Sequence, residues 1–144
     1  MPALDAAARF EIQDLMARWA MAFDFHAYDE LREIFTADGR YVTTNGRDIT
    51  GVEEIIAWCK SRVRPGAERV TRHGLSNVLL TAEDDDVVTG ISTWHTFASN
   101  EAEPAAVPVF QVADFTDRYR RVDGRWWLAE RVTASVFRDE TLAP

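Results

Sequence analysis

Apolar residues in the first part of the chain recur in helical steps. Between Asp5 and Phe23, the positions Ile12, Leu15, Met16, Trp19 and Phe23 fall three or four residues apart, with Arg9, Glu11, Asp14 and Arg18 mostly turned outward. That spacing predicts an amphipathic helix. A second short helix is expected over Tyr28–Phe35, with Leu31, Ile34 and Phe35 inward. Ala37-Asp38-Gly39 reads as a turn and Arg40–Thr44 as a short strand carrying Tyr41. Asn45-Gly46 then reads as a hairpin turn into a return strand, Arg47–Ile49. Thr50-Gly51-Val52-Glu53 has the Thr-x-x-Glu spacing of a capping box. It opens a third helix with the stripe Val52, Ile55, Ile56, Cys59 and Val63, closed by Arg64-Pro65-Gly66.

After Gly66 the pattern changes. Arg69–Thr81, Val87–Ser99, Val107–Arg121 and Arg125–Phe137 read as four long strands, rich in β-branched and aromatic residues. They are joined by the acidic turn Ala82–Asp86, the loop Asn100–Ala106 and a tight Asp123-Gly124 hairpin. Gly74, next to His73, marks a bulge or a close backbone approach. Helices followed by antiparallel strands make an α+β fold: three N-terminal helices packed into a curved, mostly antiparallel sheet. At 144 residues the chain reads as one domain, 1–144.

Charge narrows the partners. Sixteen basic residues against 24 acidic ones give a net charge of −8, which repels phosphate backbones and anionic lipid, so neither nucleic acid nor a membrane is expected. The arginines are scattered, with no basic patch along the sequence. No apolar run has the length of a membrane span, and Met1–Asp5 lacks the features of a secretion signal. With one cysteine, Cys59, the expected compartment is the cytoplasm.

Candidate chemistry centres on His73, because imidazole is the side chain that titrates closest to neutral pH. Asp24 lies on the flank of the first helix's apolar stripe, in its last turn, where a carboxylate opposes the helix dipole. It either caps the second helix or faces a pocket. Arg131 cannot act as a base; it either stabilises a developing anion or pairs with a carboxylate such as Glu130 or Asp117. His95 shares a strand face with Ile91, Thr93 and Phe97, as a pocket residue or as an ordinary strand histidine. His26 is expected in solvent. The histidines lack metal-ligand spacing and Cys59 lies on a helix stripe, so no metal is expected. There is no phosphate-binding glycine loop and no Gly-x-Ser-x-Gly elbow, so no cofactor and no covalent hydrolysis is expected. Trp19, Phe23, Trp58, Trp94, Phe110, Phe115 and Trp127 read mostly as core. A helix face carrying Trp19 and Phe23 beside Asp24 also suits a flat apolar ligand.

Several strings resemble the SnoaL-like branch of the NTF2-like superfamily. They are Ile12-Gln13-Asp14-Leu15-Met16 with Asp24, Leu31 to Gly39, Gly51-Val52-Glu53, His73 with Asn77, and Asp117 to Trp126. Within the superfamily the local similarity is greatest to the group of scytalone dehydratase, lindane dehydrochlorinase and bile-acid 7α-dehydratase. The resemblance implies a cone-shaped, cystatin-like α+β roll and elimination across a carbon–carbon bond without a metal. It also implies an acid–base pair of Asp24 and His73, with Arg131 at the leaving group. Trp19, Phe23 and Phe115 would hold a hydrophobic ring substrate, Tyr41 its carbonyl end, and His95 would be a second pocket histidine. Relatives of this kind pack as homotrimers or homodimers through the sheet. The same cone-shaped fold also hosts polyketide cyclases, steroid-type isomerases and non-catalytic dioxygenase small subunits, so isomerisation and plain ligand binding stand beside elimination.

Overall fold

The computed structural model describes residues 3–66, 68–101 and 107–144, and the two sequence periods become two layers. The first helix, α1, runs Ala6–Asp24, its start closed by Asp5, whose side chain accepts the Ala8 N–H at 2.7 Å. Ile12, Leu15, Met16, Trp19 and Phe23 are all buried on its inner face. The expected second helix is a short 3₁₀ helix, Tyr28–Glu33. Leu31, Ile34 and Phe35 are buried as expected, yet Phe35 already belongs to the first strand, β1 (Phe35–Val42). The strand thus runs through Ala37-Asp38-Gly39, which was expected as a turn, and absorbs it as an irregularity in its pairing between Phe35 and Arg40. Asn45-Gly46 does turn the chain, with Gly46 at φ 82°, into β2 (Asp48–Thr50).

The capping box does not form. Thr50 ends β2, and Gly51 caps the second helix, α2 (Val52–Ser61), at φ 96° with no side-chain bond. Glu53 is engaged by Arg32 instead, through two hydrogen bonds of 2.6 and 2.8 Å. Val63, expected on the helix stripe, lies beyond α2 and is exposed.

The four long strands are β3 (Val70–Ala82), β4 (Val87–Ser99), β5 (Val109–Val122) and β6 (Arg125–Arg138). The expected loop Asn100–Ala106 falls mostly outside the described residues. Sheet order is β2-β1-β6-β5-β4-β3, antiparallel except for the β1–β6 pair. Asp123 and Gly124 both have positive φ, as a two-residue hairpin of this hand requires. The bulge expected at Gly74 sits further along, between Ser76 and Leu79, where Asn77 takes φ 54°.

Another irregularity decides the core. Pairing slips between Arg118 and Tyr119 so that β6 gains one residue, Ala129, opposite β5. Side chains alternate along a strand, and one extra residue reverses their parity. Trp126 and Leu128 point inward before the slip, and Arg131 and Thr133 point inward after it. Trp126, not the expected Trp127, is therefore the buried tryptophan of β6. Both helices and the 3₁₀ turn cover this face of the sheet. Ile12, Leu31 and Ile55 are 0% exposed there, each such side chain contributing about 1.5–3 kcal/mol. The other face leaves Leu79 and Ile91 more than half exposed. No helix is long and apolar enough to cross a membrane.

Candidate active site

Asp24, at the last turn of α1, points at β3. Its Oδ1 accepts the Thr71 hydroxyl at 2.9 Å and lies 2.6 Å from His73 Nδ1, while Oδ2 accepts the His73 backbone N–H at 3.0 Å. Thr71 and His73 are two apart on one strand, so both side chains face α1. The 3₁₀ helix takes no side-chain cap, so Asp24 serves the strand and not the helix that follows. A carboxylate at a helix C-terminus costs about 0.3–1 kcal/mol, and these bonds offset it. Burial pushes the Asp24 carboxyl up, but the hydrogen bonds from the His73 ring and backbone and from Thr71 outweigh it and hold the carboxyl below its ordinary range. Asp24 is therefore an anion at neutral pH, and it favours a proton on His73 Nδ1.

The other ring nitrogen is open. His73 Nε2 has no hydrogen-bond partner among the described residues and is not one of their enclosed, unpaired polar atoms. His73 lines a cavity of about 460 Å³ that Asp24 does not reach. Trp19 and Phe23 from α1, Tyr41 from β1, Trp58 from α2 and Phe115 from β5 contribute to the apolar wall. Trp19 stacks on Phe23 with centroids 4.2 Å apart and meets the His73 ring edge-on at 5.5 Å. The Tyr41 hydroxyl has no partner among the described residues, and burial holds its pKa well above the ordinary value. It stays a neutral donor.

Two expected site residues are elsewhere. Arg131 does not reach the cavity: it is 0% exposed and lies beneath the aromatic floor, with its guanidinium carbon 4.6 Å from the Trp19 centroid and 4.7 Å from that of Phe115. It forms a two-point ion pair with Asp117, at 2.8 and 2.6 Å, and Asp117 also accepts the Tyr119 hydroxyl at 2.7 Å. The salt-bridge reading of Arg131 is the one realised. His95 lies on the outer face of the sheet with Ile91, Thr93 and Phe97, because Trp94 and Thr96 take the inward positions. His26 is exposed, as expected, but at the rim of the cavity, stacked on Tyr28.

Sequence reasoning missed Thr71, although its offset of two from His73 on a strand is enough to place it. It also missed that Arg62, Arg64, Arg69 and Arg138, scattered in the sequence, gather at the mouth of this cavity. Among the described residues, no three His, Cys, Asp or Glu side chains cluster in a way that could hold a metal ion.

Residues 5–132 match the model of the SnoaL-like domain. The chain belongs to the SnoaL-like family. No curated protein matches it significantly. Among solved structures, a protein of unknown function with a cystatin-like fold from Nostoc punctiforme is 23% identical. It has a TM-score of 0.80 and covers 99% of this chain and 98% of its own. A hexachlorocyclohexane dehydrochlorinase (LinA) of type 2 is 20% identical, with a TM-score of 0.77 over 91% of this chain and 86% of that one. ActVI-ORFA from Streptomyces coelicolor is 17% identical, with a TM-score of 0.79 over 90% and 98%. Likeness at this level shows the fold that this SnoaL-like chain shares with them: a cystatin-like α+β roll with a mixed, mostly antiparallel sheet.

Proposed function

We propose that this SnoaL-like protein is a cofactor-independent lyase that eliminates water from a hydrophobic, ring-containing hydroxy ketone. The observation that carries the reading is the 2.6 Å contact between Asp24 and His73 Nδ1, with Nε2 left open to an aromatic cavity. Asp24 holds the proton on Nδ1 and balances the charge that the ring acquires. Nε2 takes the proton from the carbon next to the carbonyl. The electrons of that C–H bond become the new carbon–carbon double bond as the C–O bond of the β-hydroxyl breaks. The hydroxide leaves with the proton from Nε2, so the product has lost one water and the base is restored. Tyr41, a neutral donor on the cavity wall, steadies the carbonyl oxygen in this scheme. Trp19, Phe23 and Phe115 hold the ring. Arg131 acts in this scheme as a positioning residue that fixes the floor, since it does not touch the cavity.

The hexachlorocyclohexane dehydrochlorinase named above removes hydrogen chloride by its own title, which supports elimination as the reaction class for this fold. The test uses a β-hydroxy tetralone, whose dehydration gives a fluorescent naphthol. His73→Ala and Asp24→Asn should each lower naphthol formation by about 10²–10⁴-fold with circular dichroism unchanged. Full activity in both variants ends the proposal. Isomerisation or cyclisation uses the same pair without loss of a group, and a product of unchanged mass would identify it.

A further inference from the structure

The cavity lining is rich in arginine although the chain is acidic overall. Arg62, Arg64, Arg69 and Arg138 line the cavity and, among the described residues, no aspartate or glutamate does, in a chain with 24 acidic residues. The ends of three elements converge there: Arg62 caps the C-terminus of α2, Arg69 precedes β3 and Arg138 ends β6. Arg138 pairs with exposed Glu140 at 2.7 Å. Arg62, Arg64 and Arg69 have no carboxylate partner among the described residues. Two of these three are nevertheless held in place. The Arg62 guanidinium lies 4.6 Å over the Trp58 ring and that of Arg69 lies 5.2 Å over Phe110. Arg69 Nη1 also donates to Asn100 Oδ1 at 2.7 Å and to the Leu142 carbonyl at 2.9 Å. Burial, then the like charges of Arg62 and Arg138, pull the pKa of Arg69 down, so a cation is kept where its surroundings disfavour one. An oxyanion at this position relieves that repulsion and finds paired N–H donors.

We propose that this mouth is an anion subsite: the substrate is an amphiphilic organic anion, its ring against Trp19, Phe23 and Phe115 and its oxyanion held by Arg62, Arg64 and Arg69. The proposal rests on the reading of the cavity as the substrate site and adds the charge of the tail, whether carboxylate, sulfonate or phosphate. It also fixes orientation, because the charged end stays at the rim and the ring end points to His73.

Binding tests it without turnover. Anilinonaphthalenesulfonate and phenylnaphthylamine have the same rings and differ by the sulfonate, and both report binding by fluorescence. The wild-type protein should bind the sulfonate at least about tenfold more tightly, with the preference falling as ionic strength rises. R62Q/R64Q, both at exposed positions, should lose most of the preference and R69Q a further part, with phenylnaphthylamine binding unchanged. A113W, which fills the cavity from β5, should abolish binding of both. H73A should keep the full preference, so failure of the chemistry assigned to His73 and failure of the subsite are read separately. Displacement by naphthoate and by naphthyl phosphate, each compared with naphthamide, identifies the preferred tail. Equal affinity for the two probes overturns the proposal. So does a parallel loss of both in the arginine variants, or a sulfonate preference that survives in A113W.

Discussion

Asp24→Asn changes one atom and converts half of the group from acceptor to donor. In the native protein one oxygen serves Thr71 and His73 Nδ1, and the other serves the His73 backbone N–H. An amide satisfies only one side. If its NH₂ faces the backbone N–H, two donors oppose each other at a buried position. If it faces Nδ1, the ring must accept there and carry its proton on Nε2, which removes the base. Hydrogen bonds to a charged group are worth about 1.5–3 kcal/mol each, and the amide keeps some of them. The expected loss of stability is thus about 1–3 kcal/mol at neutral pH, and the loss of turnover is about 10²–10⁴-fold. The sign with pH follows from the lowered Asp24 carboxyl. Its stabilisation is complete above the unfolded-state pKa of about 4 and disappears as pH falls through the lower folded value. Urea unfolding of wild type and variant across this range should show a gap that is widest at neutral pH and narrows below about pH 4. A gap that does not change with pH, or a variant with undiminished turnover, refutes the reasoning.

The rest of the core offers sharper stability tests. Asp117→Ala leaves Arg131 charged and unpaired at 0% exposure, and chemical denaturation should register a loss of about 3–5 kcal/mol; a change below about 1 kcal/mol would mean that the pair is not enclosed. Gly90→Ala brings a Cβ to 3.1 Å from Leu80 Cδ2 and 3.2 Å from Tyr119 Cε2. A cost of roughly 1–3 kcal/mol is expected by thermal unfolding, and a neutral effect would show that β3 gives way there. Burial pushes the Cys59 thiol up to about 12. Ellman's reagent at mildly alkaline pH should therefore leave the folded protein unlabelled and react only on unfolding; labelling of the native state at the unfolded rate contradicts the packing of α2.

The broad architecture was legible because each element carries its own period. The α1 stripe, the Asn45-Gly46 and Asp123-Gly124 turns and the four long strands stand close to where their residues place them. Errors came where pairing overrides local signals. Thr50 reads as a cap in isolation, but the ladder with β1 claims it for β2. Asp24 and His73 meet because one ends a helix and the other lies early in the strand across from it, a relation that the family resemblance supplied and spacing alone did not. The inward face of Arg131 depends on one extra residue in β6, which no pattern in Arg125–Phe137 announces. The arginine mouth was illegible for the same kind of reason. Its members are separated by up to about half of the chain, and only the convergence of three element ends assembles them.

The central claim is that Nε2 of His73, oriented by Asp24, takes a proton from the carbon beside a carbonyl. Hydrogen exchange at that carbon tests it most directly, whether or not a group then departs. With a tetralone in deuterium oxide, followed by mass spectrometry, the wild-type protein should incorporate deuterium at least about a hundredfold faster than His73→Ala or Asp24→Asn. Equal exchange in all three proteins would contradict the account.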